Sequence, residues 1–173
     1  MTSAAASAAR VARAWSVLDG VPDPEVPVLS VRDLGMVRSI ELASDGGLDV
    51  VLTPTYSGCP ATEVIERSVI EALEVAGLGP VRVILRRAPA WTTDWISDDG
   101  RRKLREYGIA PPLHMSGGAV PLRFFRDAAS PRPSCPHCGS PDTEQISAFG
   151  STACKALWRC CACGEPFDYF KPI

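Results

Sequence analysis

Cysteine carries most of the chemistry legible in this 173-residue chain. Six of the seven cysteines follow residue 134, and four of them form two spaced pairs, Cys135-Pro-His-Cys138-Gly and Cys160-Cys-Ala-Cys163-Gly, separated by 21 residues. A Cys-x-x-Cys-Gly turn aims two thiolates at one point while neighbouring amides donate to the sulfurs, so two such knuckles supply the four ligands of a tetrahedral metal site. The spacer is one residue beyond the usual zinc-ribbon range of about 15 to 20. Four thiolates leave no position for water or substrate, so the site reads as closed and structural, with zinc as the default and iron or an iron–sulfur cluster also chemically acceptable. Accidental clustering is the bland alternative. Cys154 and Cys161 are spare: Cys161, inside the second knuckle, could exchange with Cys160 as a ligand, and Cys154 fits either a packed strand position or a redox or transfer role. His137 reads as exposed rather than coordinating.

The remaining cysteine stands alone in Thr53-Pro-Thr-Tyr-Ser-Gly-Cys59-Pro-Ala-Thr62. A strand ends there, Gly58 permits unusual backbone angles, and Pro60 suits the first position of a helix, which puts Cys59 at or near a helix N-cap. Unpaired amides and the positive end of the helix dipole favour a thiolate, a better nucleophile and soft-metal ligand than a thiol. The competing reading is a buried cysteine that merely suits a tight turn. Upstream, Val21-Pro-Asp23-Pro-Glu25-Val-Pro27 holds two carboxylates on a proline-stiffened backbone, suited to assisting iron beside a thiolate, or simply to capping the next helix or staying solvated.

These groups need a scaffold, and the hydrophobic periods supply one. Val11, Trp15 and Leu18 fall on one helical face. Val37 to Leu42 and Leu48 to Thr53 read as strands joined by a turn at Ser44-Asp-Gly-Gly47, with Leu48, Val50 and Leu52 on a buried face. Pro60 to Ala76 is helical in period, Val81 to Arg86 is a third strand, and Ser97 caps a helix that Gly108 closes. The expected fold class is α/β (α+β): a small domain over 1–126 with a mixed three- or four-stranded sheet, to which Val120 to Phe124 could add an edge strand. Residues 127–133, with Pro131 and Pro133, read as a linker, and 134–173 as a zinc-ribbon module with hairpin strands within Thr143 to Phe149 and Ala156 to Arg159. About 40 residues seldom fold unaided, whereas structural zinc contributes on the order of 10 to 16 kcal/mol of apparent binding free energy.

Composition narrows the function. With 18 basic and 20 acidic residues, a net charge of −2 and no basic block, nucleic acid is not an expected partner. No apolar run approaches the roughly 18 residues of a membrane span. The first 18 residues contain Arg10 and Arg13 but no acid, overlapping with organellar presequences, yet their helical face and the closing Asp19-Gly-Val-Pro22 favour an ordinary first helix. The expected location is cytoplasmic, where paired cysteines bind metal rather than form disulfides. Only two histidines, His114 and His137, are present, and no Glu-x-x-His pair, so a di-iron oxygenase site is not expected. No nucleotide-binding glycine motif occurs.

Taken together, Asp23-Pro-Glu25, Asp33-Leu-Gly35, the Cys59 segment, and Trp91-Thr-Thr-Asp-Trp95 resemble the MIP18-like family of iron–sulfur assembly proteins. The tail, with Phe149-Gly-Ser-Thr-Ala-Cys154-Lys-Ala and Glu165-Pro-Phe-Asp-Tyr-Phe170-Lys, resembles the PaaD-type family of accessory proteins of the ring-1,2-phenylacetyl-CoA epoxidase system. The likeness covers about Trp15 to Lys171. It implies a non-catalytic accessory protein of phenylacetate catabolism that matures or maintains an iron–sulfur or di-iron centre, with transient iron or a cluster on Cys59 assisted by Asp23 and Glu25. It also implies a zinc-type site at Cys135, Cys138, Cys160 and Cys163, and oxygenase or reductase subunits as partners; self-association stays open. The alternative is a structural subunit of the oxygenase, docking through an exposed aromatic tail, Trp158, Phe167, Tyr169 and Phe170. A thiol redox enzyme is weaker, because Cys59 has no nearby partner cysteine.

Overall fold

The computed structural model describes residues 2–55, 61–113 and 132–173. The chain divides into two compact units, Met1–Gly100 and Arg101–Ile173. The fold is mixed α/β, as the hydrophobic periods predict. The candidate edge strand at 120–124 lies outside the described residues, as does all of the 127–133 joint but its last two residues.

The first unit contains α1 (Thr2–Leu18), β1 (Val37–Leu42), β2 (Leu48–Leu52), α2 (Thr62–Val75) and β3 (Val81–Leu85). Its sheet has the order β1-β2-β3, with β1 antiparallel and β3 parallel to β2. A parallel pair requires a crossover, and α2 is that crossover. Leu48, Val50 and Leu52 are buried on one face as their alternation demands, α1 packs on β1 and α2, and α2 packs on β3. Ile65, Val69 and Leu73 of α2 are also buried, each contributing roughly 1.5 to 3 kcal/mol relative to exposure. The turn before β2 is tightened by Asp45, whose carboxylate accepts the Gly47 amide at 2.9 Å and binds Arg82 at 2.6 Å.

The basic residues of α1 have structural employment. Arg10 donates to the carbonyls of Gly46, Leu78 and Gly79 at 2.5, 2.8 and 3.1 Å, and Arg13 donates to the Ala76 carbonyl at 2.8 Å. Ala76 is the C-cap of α2, where exposed carbonyls and the negative end of the dipole favour a cation. Both arginines of this segment thus cap backbone carbonyls of the first unit. No helix of the described residues is long and apolar enough to cross a membrane.

The second unit takes in most of α3 (Asp98–Glu106), which Ser97 caps by accepting the Gly100 amide at 2.9 Å. Gly108, at φ 85°, ends that segment. Then come β4 (Ile109–Ala110), β5 (Thr143–Ser147), β6 (Lys155–Cys160) and β7 (Pro166–Phe170), in a sheet ordered β4-β7-β6-β5. Alternation separates its faces. Ala110, Ala156, Trp158, Cys160, Phe167 and Tyr169 join Cys135 in a buried cluster, with Trp158 and Tyr169 edge to face at 5.9 Å. On the other face Lys155 is buried against Asp168, 3.2 Å away.

Candidate metal centre and acidic loop

Each Cys-x-x-Cys pair closes a turn that only glycine can leave easily: Gly139 and Gly164 have φ of 76° and 81°. The Gly139 amide donates to the Cys135 carbonyl and the Gly164 amide to the Cys160 carbonyl, both at 2.9 Å. The Cys160-Thr143 pairing of β5 and β6 carries the second knuckle toward the first. As a result the sulfurs of Cys135, Cys138, Cys160 and Cys163 all lie within 4.8 Å of one another. Cys135 to Cys163 is 3.8 Å and Cys138 to Cys160 is 3.6 Å. A tetrahedron with metal–sulfur bonds of about 2.3 Å places its sulfurs roughly 3.8 Å apart, so the donor set fits zinc without rearrangement.

The backbone also prepares these sulfurs for negative charge. Amides of Cys163 and Ala162 reach Cys160, that of Ser140 reaches Cys138, and that of Glu165 reaches Cys163. The Cys163 amide, Cys160's strongest influence, helps bring the Cys160 thiol down to about 7. Cys163 moves the other way, to about 12: the Glu165 amide favours its thiolate, but desolvation and three neighbouring sulfurs outweigh it. Four sulfurs this close cannot all ionise without a cation, so a bound metal would neutralise the charge that four thiolates bring together.

The spare cysteines are placed apart from this cage. Cys161 is exposed, and its thiol is raised by desolvation and then by the carboxylates of Asp142 and Glu144. Its sulfur is not among the four that converge. Cys154 is buried beside the Thr152 hydroxyl at 3.0 Å, and its carbonyl accepts the Lys171 amide at 2.9 Å. His137 is exposed, as its position between two ligands suggests.

One sequence expectation is overturned here. Trp158, Phe167, Tyr169 and Phe170 do not form an exposed tail; they are only 8, 4, 6 and 2% exposed. The run Pro166-Phe-Asp-Tyr-Phe170 is strand β7, paired with both β6 and β4, and its alternation is the signal that marks it as one. The exposed large apolar side chains among the described residues of this unit are instead Tyr107, Ile146, Phe149 and Ile173.

In the first unit, Cys59 lies outside the described residues. Helix α2 starts at Thr62 with Ala61 as its N-cap, two residues beyond the start that the sequence pattern suggests. Ala61 already has helical angles, φ −75° and ψ −12°, and its side chain makes no capping hydrogen bond. Asp23 and Glu25 occupy a compact loop. The buried Asp23 carboxylate accepts the amides of Glu25 and Val26 at 2.9 and 2.8 Å, while its own amide donates to the Leu29 carbonyl at 2.8 Å. One Asp23 oxygen therefore caps a turn, and Glu25 is half-buried beside it.

The Asp33-Leu-Gly35 motif is a clasp. Asp33 accepts the Ser30 amide at 2.9 Å and hydroxyl at 3.0 Å, and the Ser97 hydroxyl at 3.3 Å. The Trp91 indole donates to the Leu34 carbonyl at 2.8 Å. Gly35 has φ 66°, and a Cβ there would lie 2.4 Å from the Trp95 carbonyl oxygen. The two tryptophans and the Asp-Leu-Gly motif, separated by some 60 positions of sequence, lock one another in place.

Comparison with known proteins follows the same division. Residues 11–84 match the family model of iron–sulfur cluster assembly proteins, and residues 121–171 match that of the PaaD zinc beta ribbon domain. The chain is 51% identical, over 92% of its length and 91% of the relative's, to the D component of the 1,2-phenylacetyl-CoA epoxidase of Escherichia coli (strain K12). It is 35% identical, over 51% of its length and 84% of the relative's, to an Fe-S protein maturation auxiliary factor of Porphyromonas gingivalis. The crystal structure of a DUF59 domain of unknown function from Bacillus anthracis shares the fold, with a TM-score of 0.54 at 23% identity, over 58% of this chain and 96% of that one.

Proposed function

Because the chain belongs to the PaaD-type family of phenylacetyl-CoA epoxidase components, in which an iron–sulfur assembly domain precedes a zinc ribbon, we propose that it is a non-catalytic factor that delivers iron or an iron–sulfur cluster to another component of that epoxidase system. The observation that carries this reading is the match of residues 11–84, which include Asp23, Glu25 and Cys59, to iron–sulfur assembly proteins. Iron is the cargo. The Cys59 thiolate binds it through sulfur, and Asp23 and Glu25 supply oxygen donors that suit hard iron. Asp23 already accepts the Glu25 and Val26 amides, so the same carboxylate serves the turn and the iron. Release is ligand exchange: a client cysteine loses its proton and bonds to iron, the Cys59 sulfur–iron bond breaks, and Cys59 regains a proton. No change in oxidation state is required.

The four-cysteine centre serves the fold. Cys135, Cys138, Cys160 and Cys163 hold zinc, which supplies charge neutralisation and cross-linking rather than Lewis-acid chemistry, because all four positions are protein sulfurs. The oxygenase or reductase subunits are the expected partners, in the cytoplasm. The test is complementation of a deletion strain with Cys59→Ser, together with metal analysis of anaerobically purified protein. We expect wild-type protein to restore epoxidase activity and Cys59→Ser to fail while retaining its zinc. Full restoration by Cys59→Ser would remove the carrier reading.

A further inference from the structure

Resting on that reading, we propose that the end of the first sheet where β2 leads into the Cys59 connection is a docking surface for an acidic protein partner, built on Arg38, Arg86 and Arg87. The register places Val37, Leu52 and Leu85 side by side. One residue further, the Thr53 amide donates to the Met36 carbonyl and the Arg86 amide to the Leu52 carbonyl, both at 2.8 Å. Since β1 runs against β2 and β3, Arg38 enters the sheet at the same end where Arg86 and Arg87 leave it. Two strand spacings put the Arg38 and Arg86 backbones about 10 Å apart, close to a Debye length at physiological salt.

The charge at this end is not neutralised by carboxylates among the described residues. Arg82, at the start of the same strand, binds Asp45 and Asp49 at 2.6 and 2.8 Å. Arg86 and Arg87 are exposed and form no ion pair among the described residues. Arg38 is held differently: its guanidinium sits 3.7 Å from the centre of the Trp95 ring and donates to the Gly35 carbonyl at 3.3 Å. A stacked guanidinium is already ordered, so less rotamer freedom is lost when it meets a carboxylate. Leu85, 38% exposed and directly preceding Arg86 at the end of β3, adds an apolar contact of the kind found at interface centres.

The chemistry selects the class of partner. Guanidinium groups pair with carboxylates in a planar, two-bond geometry. Three cations on a chain of net charge −2 are too few to hold a polyphosphate backbone, whose binding requires a sustained basic surface. An acidic protein face docked here would meet the chain at the point where β2 hands over to the Cys59 connection.

The experiment uses full-length protein and a short fluorescein-labelled glutamate-rich peptide, read by anisotropy. At about 50 mM salt, Arg86→Glu/Arg87→Glu is expected to weaken binding about tenfold, and the difference should shrink below about twofold at about 500 mM. Arg105→Glu, exposed on the other unit, serves as the control and should bind as wild type. Arg86→Gln/Arg87→Gln, which removes charge without reversing it, gives an intermediate loss if folding is intact and covers the case in which charge reversal unfolds the strand. Equal loss in the control, tighter binding of single-stranded DNA than of the peptide, or displacement of the peptide by millimolar inorganic phosphate would each overturn the proposal. Cys59→Ser protein should bind the peptide normally, so failure of the carrier role and failure of the docking surface are read separately.

Discussion

The Cys138 sulfur lies 3.6 Å from the Cys160 sulfur, across 22 positions of sequence. Thiols do not attract one another strongly enough to hold that spacing, so the metal is expected to be the principal staple of the second unit. Cys160→Ser should lower bound zinc from one equivalent to near zero and melt the near-ultraviolet signal of Trp158 and Tyr169, both in the same buried cluster as Cys160. Metal analysis and circular dichroism check this; an unaltered signal in a zinc-free protein would show that the aromatic cluster folds without the metal.

Zinc retention should depend on pH in one direction. The Cys160 thiol, depressed to about 7, contributes stability to the metal-free fold that is present above its unfolded value and lost as pH falls through about 7. Metal binding displaces protons from all four thiols. Zinc affinity is therefore expected to rise steeply from about pH 6 to about pH 8, and chelator competition at several pH values measures it.

Gly35→Ala should destabilise the first unit by about 2 kcal/mol or more, because a Cβ would fall 2.4 Å from the Trp95 carbonyl oxygen at φ 66°. Trp91→Phe, which leaves the Leu34 carbonyl without its indole donor, should cost roughly 1 to 3 kcal/mol. Urea titrations of the two variants test the clasp.

Asp23 offers a way to separate turn capping from metal handling. Asp23→Asn retains an oxygen acceptor for the Glu25 and Val26 amides, so its unfolding midpoint should stay near that of wild type, whereas Asp23→Ala should lose about 1 kcal/mol. If the carboxylate also handles iron, iron uptake falls in both variants. Uptake that falls only in Asp23→Ala would confine Asp23 to the turn.

The Lys155–Asp168 pair, with side chains 8 and 24% exposed, should respond asymmetrically. Asp168→Ala strands a nearly buried ammonium and is expected to cost about 3 kcal/mol, while Lys155→Met/Asp168→Leu should cost much less. Thermal unfolding of zinc-loaded protein distinguishes the two.

Strong periods are legible without a structure: β1, β2, α2 and β3 lie where alternation and helical spacing put them, within two residues at each end, and the two knuckles follow from local Cys-x-x-Cys-Gly chemistry. The second sheet is less legible. β4 is only two residues long, Ile109 and Ala110, and exists because β7 offers it an edge. The aromatic density of β7 imitates a contact surface, although Asp168 between Phe167 and Tyr169 marks the alternation of a strand. The joint role of Asp33, Gly35, Trp91 and Trp95 depends on contacts across some 60 residues, which no local pattern encodes.

Strand β6 begins at Lys155, directly after the buried Cys154, and ends on Cys160, whose sulfur belongs to the four-cysteine cluster while its backbone belongs to the sheet. Among the described residues it is also the only strand paired with both β5 and β7. Metal occupancy and sheet integrity are therefore expected to form one cooperative transition, because β6 carries a cysteine of the cage and pairs with strands on both sides. Amide hydrogen exchange along β6 should accelerate as a block from Ala156 to Cys160 when the metal is withdrawn, so that this one strand gauges the loading state of the ribbon.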